Sequence, residues 1–429
     1  MKFFISGLGL DVGGGKTVGL NVVRSLPKVD PVNRYCLVFP KGCGYESLEP
    51  GPNCELELVD IRPKLRRRLY LDHLDLPRRC KESNADAALS MSNFSPWKMP
   101  CPHLVGVHLP HLLYPEIPAM SRLPVKVRFK LALQRVYFRA QARRVQGFCV
   151  LSPVMAERLN RYFKIPLEHI RVIPNAVAAE VDAPVRLRPE LDEILRRCAN
   201  RFRFCYVAPY YAHKNHRSLV PVMKILRDEY GVRDAVMLIT IPDTGNPAAR
   251  RFLHSVQKAG LSDQIVNAGK LPLNEVHHIY AQSHALFMPT QLECFSNTYV
   301  EAMHFGLPVL TSDMDFARSV CGDAAMYFNS EDPHDMAQSM MKIMTRPDLR
   351  VLLGETGRQR LDALEITWEE VTRMYVDALL AAAGQPRLAP QRRNCRTRTE
   401  SGSRSAENAQ PRMEQNQRCR LETKTVGEL

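Results

Sequence analysis

Short apolar or β-branched runs alternate with longer stretches of helical periodicity along most of this chain. That alternation commits it to strand–helix–strand units packed around parallel sheets. Strands are predicted at 3–6, 35–39, 87–91, 104–108 and 147–151, and a second series at 202–207, 235–241, 265–268, 285–288, 308–311 and 325–328. Two series mean two doubly wound α/β domains. Between them, Val172-Ile173-Pro174-Asn175-Ala176-Val177 gives way to a polar, proline-containing stretch with the composition of a linker. The boundary falls near 175, giving a first domain over 1–175 and a second over 176–367. A chain of 429 residues is long enough for two or three domains with sizeable cores. No repeat of fixed period is present.

A periodic helix over 368–383 stops at Gly384, as a glycine terminus would have it. Beyond it the composition turns to Arg, Gln, Asn, Ser and Glu. So polar a segment cannot bury enough surface to offset its ordering entropy, and 386–429 is expected to be a disordered basic tail. Formal net charge is +14, while residues 385–429 hold ten Lys/Arg against five Asp/Glu, so the remainder is basic in its own right. The excess favours an anionic partner and does not choose among nucleic acid, a membrane surface and a phosphorylated small molecule. Twelve cysteines without a C-x-x-C or a close Cys/His cluster read as reduced thiols of a cytosolic protein, with no metal site. The apolar start is too brief for a signal peptide and reads as a first strand. No run approaches the roughly 18 apolar residues a membrane span needs, so any membrane contact would be peripheral.

Three segments carry chemistry. Gly13-Gly14-Gly15-Lys16-Thr17 follows a strand and opens a helix, where bare N–H groups suit a phosphate. A Walker A loop would need glycine at position 10, which is Leu10. Gly14, Gly15 and Lys16 are therefore read as a phosphate or acceptor contact, or as a tight packing turn. Near the second candidate, a strand ends at Met288, a loop carries Glu293, and Ser296 or Asn297 can cap a helix bearing Glu301 in its second turn. Val300, Ala302, Met303 and Phe305 mark that helix as buried, where an ionised glutamate is costly unless something hydrogen-bonds it. A hydroxyl-rich ligand in a cleft at the strand C-termini would do so. The third is a strand that delivers His108 to its C-terminal end.

Glu293 and Glu301, with seven residues between them, match the E-x7-E motif of retaining nucleotide-sugar glycosyltransferases of the GT-B fold (family 4, glycosyl transferases group 1). The chain resembles that family further at Val172-Ile173-Pro174-Asn175, Gly306-Leu307-Pro308-Val309, Gly322-Asp323-Ala324-Ala325 and Thr367-Trp368-Glu369-Glu370. The resemblance covers roughly 1–384 and is strongest after 147. It implies two Rossmann-like domains facing each other across a cleft, with the 368–383 helix crossing back onto the first, acceptor domain.

The resemblance also implies roles. Glu301 would accept hydrogen bonds from the donor ribose. Glu293 would face the transferred sugar and stabilise its cation-like transition state. The N–H groups of Phe295 and Ser296 would hold a donor oxygen beside Asn297. Lys214 matches the lysine that grips the diphosphate, but Pro209 stands where the family has an arginine, leaving His213 or a first-domain residue to substitute. His108 matches the histidine of the family's V-H-D segment, with His111 and Asn93 as further acceptor-side candidates. No cofactor is implied beyond the nucleotide-diphosphate sugar, and no metal. The acceptor would be a glycan or a lipid-linked saccharide of cell-surface polysaccharide or lipopolysaccharide synthesis, the donor a UDP or GDP sugar.

From 122 to 144 there are eight Lys/Arg and no acid, interleaved with apolar residues. Such a helix suits an anionic lipid surface, or packs on a core with a solvated charged face. A protein that binds nucleic acid through this helix and the tail is the competing reading. It leaves the paired glutamates without a role and lacks an aromatic RNA-binding signature, so no nucleic-acid partner is expected. A catalytically silent GT-B scaffold is a third, prompted by Pro209.

Overall fold

The computed structural model describes residues 1–384 except 63, 95, 118, 119, 121, 122, 178–186, 244 and 365. The expected disorder of 386–429 concerns residues outside that set, as does Arg122 of the basic segment.

The first sheet is built from β1 (Lys2–Ser6), β2 (Arg34–Pro40), β3 (Cys54–Val59), β4 (Ala87–Ser90), β5 (His103–Val107), β6 (Gly147–Val150) and β7 (Ile170–Val172). The second holds β8 (Phe202–Tyr206), β9 (Ala235–Ile239), β10 (Ile265–Asn267), β11 (Ala285–Met288), β12 (Val309–Ser312) and β13 (Ala325–Phe328). Their orders are β3-β2-β1-β4-β5-β6-β7 and β10-β9-β8-β11-β12-β13. Every pair is parallel, for example Ile5 opposite Leu37 and Leu286 opposite Val309. The strand order reverses direction at β1/β4 and at β8/β11, the places where open parallel sheets receive ligands. Central strands such as Ala235–Ile239 are buried along their whole length, which is why they read as unbroken apolar runs.

Two strands have no counterpart among the predicted ones. In β3, the sequence Cys54-Glu55-Leu56-Glu57-Leu58-Val59 alternates, with Glu55 and Glu57 exposed, because it is a sheet edge that must reject further pairing. The β7 strand is three residues long and also lies at an edge.

The helix Trp368–Ala382 begins with Thr367, whose hydroxyl accepts the Glu370 N–H at 3.1 Å. Trp368, Val371, Tyr375 and Leu379 belong to the same buried cluster as Phe3, Ile5, Val18 and Val22, so this last helix packs on the first lobe beside the helix Gly13–Val29. The ten described cysteines are all free thiols, with Cys80 and Cys101 Sγ atoms 3.5 Å apart.

Candidate active site

The second lobe's site grows from the loops that follow β8 and β11. The Tyr206 hydroxyl, on β8, donates to the Lys214 carbonyl at 2.7 Å. From the β11 loop the Gln291 N–H donates to the His213 carbonyl at 2.7 Å, and the Thr290 hydroxyl lies 3.0 Å from Glu293 Oε1. These contacts fix the 212–214 turn, and Lys214 Nζ donates to Glu293 Oε1. Both side chains are largely withdrawn from water, 13% and 12% exposed, so this is a buried ion pair.

Glu301 sits on the helix Asn297–His304 and accepts the Tyr280 hydroxyl at 2.7 Å. Burial raises its carboxyl above the usual range, and the Tyr280 bond only partly offsets this. The hydrogen bonds a buried carboxylate needs come here from within the protein, Lys214 and Thr290 serving Glu293 and Tyr280 serving Glu301.

The capping expectation also changes. Ser296 occupies the N-cap position at φ 68° and ψ 106°, and its side chain makes no cap hydrogen bond. Asn297 accepts instead from Asn175 Nδ2 at 2.9 Å, which ties the helix start to the end of the first domain. Phe295 is buried. A non-glycine residue at positive φ stores strain, and strain of this kind gathers at ligand sites.

On the first lobe, β5 delivers His108 to its C-terminal end, where its N–H donates to Asn93 Oδ1. The ring lies over Gly106, where an added Cβ would come within 3.0 Å of Nε2. Nε2 is buried without a hydrogen-bond partner, and burial pushes the imidazole pKa down to about 4. His111 meets His213 of the other lobe edge to face at 5.1 Å. Burial, with Lys214, His111 and His216 nearby, pushes His213 down to about 3. Without ligand, His213 is therefore held in its neutral form near pH 7. Lys16, in the glycine-rich turn, lies along Gly44 of its own lobe. Gly14 has open space where a side chain would go, and a Cβ on Gly15 would approach Leu10 at 3.2 Å.

The structure thus gathers Lys214, Glu293, His213 and His111 at the junction of the lobes. The Ser152 hydroxyl donates to the Cys294 carbonyl at 3.3 Å in the same region. A second junction escaped sequence reasoning. Asp315 Oδ1 accepts the Tyr114 hydroxyl at 2.9 Å, and Arg158 reaches Asp315 Oδ2 with Nε at 2.8 Å and Nη2 at 2.6 Å while stacking over Tyr114. No local spacing announces partners 157 and 201 positions apart.

The family model "Glycosyltransferase Family 4" matches residues 12–181, and "Glycosyl transferases group 1" matches 188–360. The O-antigen chain mannosyltransferase RfbU of Salmonella typhimurium is 23% identical over 220 residues, 50% of this chain and 57% of that protein. The chain thus spans a little over half the length of that curated relative. Sucrose-phosphate synthase from Thermosynechococcus elongatus superimposes with a TM-score of 0.69 at 17% identity, over 89% of this chain and 100% of the other. Anabaena HepE in complex with UDP and glucose does so at 0.65 and 12%, over 89% and 100%. One family model lies over each lobe and the two sheets share the neighbours' architecture, so this chain belongs to the GT-B glycosyltransferases.

Proposed function

We propose that the protein transfers a hexose from a nucleoside-diphosphate sugar to a glycan or lipid-linked acceptor of cell-surface polysaccharide synthesis, retaining the anomeric configuration and using no metal. The observation that carries the reading is the buried Lys214–Glu293 pair at the lobe junction, with Glu301 on the helix that follows. Lys214 would meet the diphosphate, whose negative charge grows as the glycosidic C–O bond breaks. Released from Lys214, Glu293 would face the sugar as its anomeric carbon becomes cation-like. Glu301, already holding one hydroxyl from Tyr280, has lone pairs left for ribose hydroxyls.

The acceptor oxygen would attack from the face the diphosphate leaves, forming the new C–O bond while the departing phosphate oxygen takes its proton. Neutral His108, with its unpartnered Nε2, would accept a hydrogen bond from a sugar or acceptor hydroxyl or donate one. The names of RfbU, an O-antigen mannosyltransferase, and of HepE, bound to UDP and glucose, support the substrate classes.

The test is a thermal-shift screen of UDP, GDP and ADP followed by their sugars, with product analysis for whichever binds. One nucleotide should raise the melting temperature and its sugar should turn over. If none binds, the reading fails. Pro209 keeps a silent scaffold in view, and detectable transfer from any donor disposes of it.

A further inference from the structure

We infer that Cys80 and Cys101 are a reversible dithiol, oxidised by a small peroxide to a disulfide that straps the β4–β5 crossover to the helix Leu76–Glu82. Their Sγ atoms lie 3.5 Å apart, joined by a hydrogen bond. Among the described residues no other two thiols are bonded in this way. A disulfide brings its sulfurs to about 2.05 Å, so an approach of about 1.5 Å closes the bond.

The two thiols differ in a way that divides the labour. Cys80 is buried in the cluster of Phe4, Leu8, Val38, Leu76 and Ala88, whereas Cys101 is half-buried at the margin of that cluster. A solvent-borne oxidant therefore meets Cys101 first. The hydrogen bond from Cys80 holds the Cys101 thiol below its ordinary value, against burial and the Asp86 charge, so thiolate forms there most readily. The same bond, together with burial, pushes the Cys80 thiol up. Cys36 lies at the same margin, but its Sγ is aimed at Glu55 Oε2 at 3.5 Å and burial pushes its thiol up. It is the poorer nucleophile of the three.

With hydrogen peroxide as oxidant, the Cys101 thiolate attacks one peroxide oxygen. The S–O bond forms, the O–O bond breaks, and the departing hydroxide leaves as water after taking a proton. The Cys80 sulfur then attacks the sulfenic sulfur of Cys101. The S–S bond forms, the S–O bond breaks, and the second hydroxide leaves as water with the proton of Cys80. Two thiols are oxidised by two electrons in all, and one peroxide is reduced to two waters. A dithiol reductant reverses the step by thiol–disulfide exchange.

The position of the pair gives the bond a mechanical effect. Cys80 sits in the helix before β4, and Cys101 stands just ahead of β5. Parallel neighbours such as β4 and β5 are usually joined through a helix, yet the described part of 91–102 contains no helix or strand. Scattered contacts hold it instead. The Gly9 N–H donates to Ser92 Oγ at 3.0 Å, the Trp97 N–H to His73 Nδ1 at 3.3 Å, and the His108 N–H to Asn93 Oδ1. A segment so tied opens more easily than the sheet it crosses. A disulfide between positions 21 apart closes a loop around it and fixes its far end to the helix. The oxidation does not depend on which sugar is transferred, or on whether one is.

The test treats the reduced full chain with hydrogen peroxide, alkylates the remaining thiols, and maps the digest by mass spectrometry without reductant. A peptide pair linked through Cys80 and Cys101, lighter by two hydrogens, should appear and should vanish with dithiothreitol. The oxidised protein should melt about 5 °C or more above the reduced one, with slower hydrogen exchange along 91–102. Cys101→Ser, at a half-buried position, should keep the melting temperature of the reduced wild type and lose both the linked peptide and the peroxide-dependent rise. Cys36→Ser should keep both. The inference is overturned if peroxide leaves Cys80 and Cys101 free in the wild type, or if Cys101 ends as a sulfinic acid or in a disulfide with another partner. A linked peptide without a gain in melting temperature overturns the strap.

Discussion

At the residue scale the account turns on how a lysine and a glutamate share one buried place. Removing one member of such a pair strands the other's charge, at about 3–5 kcal/mol, whereas removing both is often nearly neutral. Lys214→Met should therefore destabilise by about 3 kcal/mol, while Lys214→Met/Glu293→Gln should recover most of that loss in urea denaturation. Both variants should be inactive, because the positions serve chemistry as well as packing. Additive stability losses would mean that the pair is not coupled. Glu301 behaves differently, since its raised carboxyl pKa makes the ionised form a burden to the folded state at neutral pH. Glu301→Gln should leave the melting temperature at pH 7 unchanged or higher, yet weaken nucleotide binding by roughly 10- to 100-fold through the lost charged hydrogen bonds. Unchanged affinity by calorimetry would remove Glu301 from the site. The glutamates, the lysine and His108 were legible because their motif positions are local. Their actual partners, Thr290, Tyr280 and Asn93, were not, since those contacts come from folding distant segments together.

At the scale of elements, the apolar strands announced themselves because both of their faces are buried. The edge strands β3 and β7 did not, one being half charged and the other three residues long. Helix packing hid another constraint. Gly306, in the Gly306-Leu307-Pro308-Val309 turn, adopts φ 65°, and its carbonyl lies where a Cβ on Gly354 would come within 2.3 Å. Backbone cannot yield as a flexible side chain can, so the helix Pro347–Leu364 is seated on that turn only because position 354 is glycine. Gly354→Ala should cost about 1–3 kcal/mol by overpacking, read as a lower urea midpoint. Wild-type stability would show that the approach is looser than described. Thr367→Ala should cost about 1 kcal/mol through the lost N-cap and loosen the last helix from the first lobe, which hydrogen exchange along 368–382 would detect.

For the molecule as a whole, the contacts that join the lobes among the described residues include His111–His213, Ser152–Cys294, Asn175–Asn297 and the Arg158–Asp315–Tyr114 cluster. Asp315→Ala should widen the distribution of interlobe distances measured by single-molecule fluorescence, with intrinsic nucleotide affinity preserved. Acid should act on the whole fold. His108 at about 4, and His103, His213 and His216 at about 3, all lie below the ordinary 6.5 because burial disfavours the charged ring. Between those values the unfolded chain binds protons that the native one refuses, so this contribution is present above about pH 6.5 and is lost as pH falls. The urea midpoint should therefore decline from pH 7 to pH 5, and a flat profile would contradict the burial of these rings.

The claim beneath all of this is that Lys214, Glu293 and Glu301 address one sugar nucleotide at the junction of the lobes. A crystal structure of the protein soaked with the nucleoside diphosphate chosen by the binding screen examines it directly. The account predicts the ribose hydroxyls on Glu301 and a diphosphate oxygen on Lys214 Nζ, with the Lys214–Glu293 bond broken or shared. A nucleotide bound elsewhere, with that ion pair intact and Glu301 still held by Tyr280 alone, would contradict it.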